Sequence, residues 1–402
     1  MSIVTTGSIE LLQADRLKYW CERVKIPAGA IAELQTVLDA VQGDEDLQRI
    51  FADFYDQTTV RGEWSHDWTM LPMHAAVVER FGEDRASMFY VLAYMAALPS
   101  VEAEYRRRGI SMEIFDGTML DIGIWLDRIH TVRGRWYFNQ FMWIWRHMEL
   151  RIFRLGRLQF CLEPYNGHAT AYRHRESGRH LLLCGPDVPL RADGHALGAG
   201  QRRETEPPPE SEAWYATFEE TEEGWRGNPI HPMGYARRAP VFLPKTAWEC
   251  VLRRGDWHLD LHIPRGESMS VEACRESFRQ AEAFFAKHHP DRTYRVTYCH
   301  TWFFTPQMQA YLPPESNIVR FQREFYLYPT KGGPDFLWSY VFGENHSMDD
   351  LAAAPRDTGL QRATLQWLEA GGELFDMAGM AFHGSEAWGS QPYMSNPPEE
   401  FS

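Results

Sequence analysis

Three ionisable side chains recur at alternate positions near residue 260, as His258, Asp260 and His262, with Leu259, Leu261 and Ile263 beside them. Side chains alternate across a strand, so the pattern predicts a β-strand over 257–263 with one polar and one apolar face. A row of ionisable groups is costly to bury against a core, so that face belongs either to solvent or to a polar site. The chain then turns through Pro264-Arg265-Gly266-Glu267-Ser268-Met269-Ser270, with small residues at 266, 268 and 270. A helix is predicted over Val271–Lys287, with Ser270 as its N-cap and Glu272 in its first turn. Such a turn offers free backbone N–H groups to a phosphate or pyrophosphate, although many strand–helix junctions share the shape. Arg275 and Arg279, four residues apart, share a helix face. They are either a counter-charge for a nucleotide phosphate or solvated side chains.

Other reactive residue types give less. Cys299 and His300 invite a nucleophile reading, but adjacent strand residues point to opposite faces, and Cys299 reads as a small buried hydrophobe. His66, Asp67 and His74 fit no metal-binding spacing, and no metal is expected. Cys21, Cys161, Cys184, Cys250, Cys274 and Cys299 form no C-x-x-C pair, which fits reduced thiols better than disulfides or a zinc knuckle. The N-terminus lacks the basic-then-apolar layout of a signal peptide. The longest apolar run, Met88–Leu98, is 11 residues, too short to span a bilayer. A net charge of −14 repels phosphate backbones but is compatible with a cationic acceptor such as an amine. The expectation is a cytoplasmic protein with neither a nucleic-acid nor a membrane partner.

A chain of 402 residues exceeds what one core usually spans, so two domains are expected. The aromatic share of 14%, with 15 Trp, fits dense packing as well as a lined cleft. Apolar residues recur at helical spacing from Ile9 to Val24, over Ala30–Val41, over Asp46–Tyr55 and over Asp84–Leu98. Ser100 is placed to cap a further short helix that Gly109 ends in the left-handed conformation. From about 151 short alternating runs replace this pattern: 157–163, 169–174, 180–184, 248–253, 257–263 and 294–304 read as strands, antiparallel where only turn residues separate them. Pro186–Met233 is rich in Gly, Pro and Glu and reads as a long loop. A helix near Gln307–Leu312 and strands over 323–328 and 336–342 follow, then a helix over Thr358–Ala370. The fold class is α+β: a helical domain over 1–150, then a mixed, mostly antiparallel sheet flanked by helices over 151–345. Residues 187–234 are expected as a loop insertion, and 346–402 as a helical segment and tail.

Two stretches, LHIPRGESMSVEACRESFRQAEAFF and YCHTWFFTPQMQAYLPPESNIVRFQREF, make the sequence similar to the GNAT-like C-terminal domain of bacterial acyltransferase domain-containing proteins. RRGISMEIFDGTMLDIGIWLDR and FRLGRLQF resemble the helical N-acyltransferase N-terminal domain that accompanies it, and PRDTGLQRATLQWLEAGGELF resembles the closing segment. The likeness covers nearly the whole chain outside 187–212. It implies an acyl-CoA-dependent acyltransferase acting directly on an amine of a small-molecule acceptor. The alternatives are a non-catalytic ligand-binding protein on the same scaffold and an O-acyltransferase.

The resemblance places the pyrophosphate on Arg265–Ser270, where Gly266, Ser268 and Ser270 are the small residues and Glu267 departs from the family's glycine-rich pattern. It runs the pantetheine arm beside residues 260–264, including Ile263 and Pro264. Thioester aminolysis needs a deprotonated amine, a stabilised oxyanion and a protonated leaving thiolate. His262 is the expected base, Asp260 an alternative base or its orienting partner, and Tyr311 the acid that the resemblance suggests for the thiolate. Ser316-Asn317 reads as a turn or cap.

Overall fold

The computed structural model describes residues 13–60, 72–186, 188–197, 213–331, 333 and 335–395. The chain divides into two compact units, Met1–Arg154 and Leu155–Ser402.

The first unit is helical, with α-helices Ala14–Arg23, Ala28–Gly43, Glu45–Tyr55, His74–Arg107, Met112–Arg133 and Phe141–Met148. Asp44 starts the third helix by accepting from the amides of Asp46 and Leu47, and Ser111 caps the fifth through Ile114. The long helix breaks its geometry at Gly82 (φ 71°, ψ 164°) and then continues through Pro99. Ser100 is therefore not the start of a separate helix. Every residue from Ala86 to Leu98 is buried, as are Val101 and Tyr105, and this packing outweighs the ~3 kcal/mol that an interior proline costs. Gly109 does take the left-handed conformation just past the end (φ 66°). Among the described residues this helix alone is long and apolar enough to cross a membrane, and 78% of its most apolar window is buried in the fold.

The second unit is built on a mixed sheet. Its order is Leu158–Pro164, Trp257–His262, Thr297–His300, Met377–Ala381, Tyr326–Pro329. Trp257–His262 pairs antiparallel with Leu158–Pro164 along its full length, from Trp257↔Pro164 to His262↔Gln159. It pairs parallel with Thr297–His300, and the crossover between these two carries the helix Val271–His288. Met377–Ala381 pairs antiparallel with both Thr297–His300 and Tyr326–Pro329. A second, antiparallel sheet runs Tyr235–Ala236, Pro229–His231, His180–Leu183, Thr170–His174, Trp248–Leu252.

Three expectations are corrected. The segment 336–342 is not a strand: Asp335–Val341 is a helix whose Leu337 and Trp338 are buried. The sheet does not close at 345, because Met377–Ala381 lies between two of its strands, and that strand is buried at every position. The 187–234 insertion is not simply a loop either, since Trp214–Tyr215, Phe218–Glu220, Gly224–Gly227 and Pro229–His231 are strands; residues 187 and 198–212 lie outside the described part. Turn-forming residues hid these strands because they pack closely here. A Cβ on Gly224 would sit 2.4 Å from the Leu243 carbonyl oxygen. The buried Asn228 accepts from the Thr217 amide (2.8 Å) and donates to the Arg237 and Arg238 carbonyls (2.9 and 2.7 Å).

Candidate active site

Neither face of Trp257–His262 is a solvated outer face. Leu259 and Leu261 are buried (1% and 0% exposed) on the side where Phe160 meets Phe278 of the crossover helix at 5.5 Å. On the other side His258 is also buried (4%), set edge-on between Tyr165 and Tyr298. Burial lowers its pKa, which favours the neutral imidazole. Asp260 and His262 are half-buried, and His262 Nε2 lies 3.1 Å from Asp260 Oδ2. Register sets Cys161 opposite Asp260, with its Sγ 3.8 Å from Asp260 Oδ2 and 3.9 Å from His262 Nε2. These three side chains are the group, among the described residues, whose donor atoms cluster closely enough to hold a metal ion.

The polar pair lies where the sheet opens. The parallel ladder joins only Leu259 to Thr297 and Asp260 to Tyr298. Beyond it Leu261 and His262 stay with Phe160 and Gln159, while Cys299 and His300 follow Gly379 and Ala378. Where two neighbouring strands part, an extended chain can bond alongside as a short added strand. His262 ends one lip and His300 the other.

His300 was set aside in the sequence because it cannot pair with Cys299. The structure pairs it elsewhere: His300 Nε2 meets Asp376 Oδ2 at 2.7 Å, with the Asp376 side chain 3% exposed and that of His300 40% exposed. Thr330 Oγ1 donates to the same carboxylate oxygen at 2.5 Å. Burial alone would lower the His300 pKa, but the hydrogen bond and charge of Asp376, with Asp260 adding to them, raise it. Cys299 is buried, and its thiol pKa is pushed well up by burial, as befits an inert core cysteine.

Past the open strands, Pro264 is buried and Ile263 half-buried, while Arg265, Gly266, Glu267 and Ser268 are exposed. A residue that the sequence reading did not identify fixes this turn. Arg157 is buried (8%) and donates from Nε to the Glu267 carbonyl (2.6 Å) and from a terminal nitrogen to the Pro264 carbonyl (2.7 Å). Asn317 Nδ2 donates to Ser268 Oγ (2.7 Å), and Ser270 caps Val271–His288 by accepting from the Ala273 amide. Ser316 caps Asn317–Gln322 in the same way.

The two arginines expected to meet a phosphate are otherwise engaged. Arg275 donates to the Trp388 carbonyl (2.6 and 3.2 Å), and Arg279 forks onto Glu276 (2.6 and 2.7 Å). Tyr311 is not brought to Asp260 and His262. Its hydroxyl meets Thr364 Oγ1 (3.3 Å), its ring packs on Trp367 (5.8 Å), and burial pushes its pKa up to about 12. His74 Nδ1 meets the Tyr90 hydroxyl (3.2 Å) inside the helical unit, while His66 and Asp67 lie outside the described residues.

The GNAT-like C-terminal domain family matches residues 152–381, and the N-acyltransferase N-terminal domain family matches residues 15–150. The chain belongs to this family of acyltransferases. The fold is shared with a solved acyltransferase mutant in complex with octanoyl-CoA (19% identity, 92% of this chain and 88% of that one, TM-score 0.56). It is shared too with an acyltransferase in complex with decanoyl-CoA and teicoplanin (20% identity, 91% and 87%, TM-score 0.55). No curated protein matches the chain.

Proposed function

We propose that the chain transfers an acyl group directly from a CoA thioester to an amine of a small-molecule acceptor. The observation that carries this reading is the parting of Trp257–His262 from Thr297–His300 beside the His262–Asp260 pair. The pantetheine arm lies along residues 260–264, as an added strand bonded to the lip. The pyrophosphate rests on the turn Arg265–Ser270 and the first amides of Val271–His288, with Arg157 holding the turn in shape. The related folds that hold octanoyl-CoA and decanoyl-CoA support a medium-chain acyl donor, and teicoplanin in one of them supports a small-molecule acceptor.

At the lip, Asp260 attracts the ammonium form of the acceptor, which gives up its first proton to solvent. The free amine then attacks the thioester carbon, His262 takes the second proton from its nitrogen, and the C–S bond breaks as the thiolate leaves. The net charge of −14 favours such a cationic acceptor. The six cysteines are free thiols, which suits a reducing cytoplasm. Incubation with an acyl-CoA series and a panel of amines, read by thiol release, tests the proposal. Turnover that fails in His262→Ala and Asp260→Ala supports it; CoA binding without turnover marks a ligand-binding protein, and no binding or turnover overturns it.

A further inference from the structure

The proposed transfer has two proton steps, and the sequence supplies a group for only one of them that the structure brings to the site. His262 and Asp260 receive the amine proton. The departing thiolate needs a donor, and Tyr311 is turned to Thr364 and Trp367. Across the opening from His262 stands the other histidine, at the end of Thr297–His300.

Resting on the acyl-transfer reading, we infer that His300 is the acid that protonates the leaving thiolate, with Asp376 and Thr330 as its positioning residues. Three features carry this assignment. Nε2–H is committed to Asp376 Oδ2 at 2.7 Å, which fixes the ring and leaves Nδ1 on its other side. The carboxylate is buried and held in turn by Thr330, so the pair is rigid. The imidazole is 40% exposed at the lip, where a thiolate leaving the parted strands would meet it and water could recharge it.

The charged groups around His300 are Asp376 and, one strand over, Asp260; helix Asp335–Val341 contributes the neutral Phe336 ring at 5.6 Å. Both carboxylates favour the imidazolium, which is the form an acid needs at neutral pH. In the step itself the C–S electron pair collapses onto sulfur as Nδ1–H passes its proton to it. His300 is left neutral, and solvent returns the proton, matching the one His262 took from the amine.

The test compares two acyl donors in the full-length protein. With acyl-CoA, whose alkyl thiolate is a poor leaving group, His300→Gln lowers turnover about 100-fold. With the corresponding acyl thioester of an acidic aryl thiol, which leaves without a proton, it changes turnover less than about threefold. Equal losses with both donors, or no loss with either, overturn the assignment. Asp376→Asn moves the alkaline limb of the acyl-CoA pH profile to lower pH, because the acid then loses its proton sooner; an unmoved limb contradicts the positioning role. NMR titration of the His300 ring decides the matter independently of turnover. A pKa above the ordinary histidine value of about 6.5 that falls in Asp376→Asn is expected. A value at or below the ordinary one overturns the assignment even if no donor is turned over, whereas failure of wild-type turnover alone counts against the acyl-transfer reading.

Discussion

Among the described residues each unit contains one histidine–aspartate pair with a buried carboxylate, and the two pairs are built for opposite purposes. In the helical unit His147 Nε2 meets Asp121 Oδ2 at 3.1 Å, with side chains 1% and 3% exposed. Its Nδ1 is taken by the Trp143 carbonyl (2.8 Å), and Trp143 Nε1 donates to the same Asp121 oxygen (2.7 Å). Both ring nitrogens are consumed inside a sealed core. In the sheet unit His300 spends one nitrogen on Asp376 and presents the rest of its ring at the open end of two strands. The contrast teaches that a buried aspartate beside a histidine is no sign of chemistry in itself. What matters is whether the second nitrogen has somewhere to send a proton.

The sealed pair should give the largest effect, and it should be on stability. Asp121→Ala strips the acceptor from a buried imidazole and a half-buried indole, and should cost about 3–5 kcal/mol in denaturant unfolding. A cost near zero would break the comparison from the structural side. Next come the groups at the lip. His262→Ala should lower acyl transfer about 100-fold with the unfolding midpoint little changed; a matching loss of stability would make His262 a second structural histidine. Arg157→Lys keeps the charge but cannot hold both carbonyls at once. Loss of one charge-assisted bond should raise KM for the acyl donor about tenfold, measured at saturating acceptor. The smallest effect is expected at Arg279, whose guanidinium is paired with Glu276 at the surface. Arg279→Ala should leave both KM and the unfolding midpoint unchanged.

Local signals were legible in the sequence. Alternation marked Trp257–His262, Ser270 marked the helix start, and Thr358 with Gln361 forms a full capping box at Gly359–Glu369. Met377–Ala381 was not legible, because a strand buried on both faces has no alternation to read. Gly379 stands in it because a Cβ there would meet Phe304 and Phe325 at 2.8 and 2.9 Å. The helix Asp335–Val341 carries the β-favouring Phe336, Trp338, Tyr340 and Val341, and tertiary packing of Leu337 and Trp338 overrides that preference. The positions of His262 and Asp260 on one strand could be read from spacing of two. Arg157 with Pro264, and His300 with Asp376, are separated by 107 and 76 residues, distances at which only the folded sheet makes partners.

The account rests on the opening between Trp257–His262 and Thr297–His300 being where the acyl donor lies. The direct measurement is a crystal structure of the protein with CoA or a non-hydrolysable acyl-CoA. The expected result is pyrophosphate on the amides of residues 265–271, pantetheine along 260–264, and the sulfur between His262 and His300. A nucleotide bound elsewhere, or a sulfur out of reach of both histidines, would contradict it.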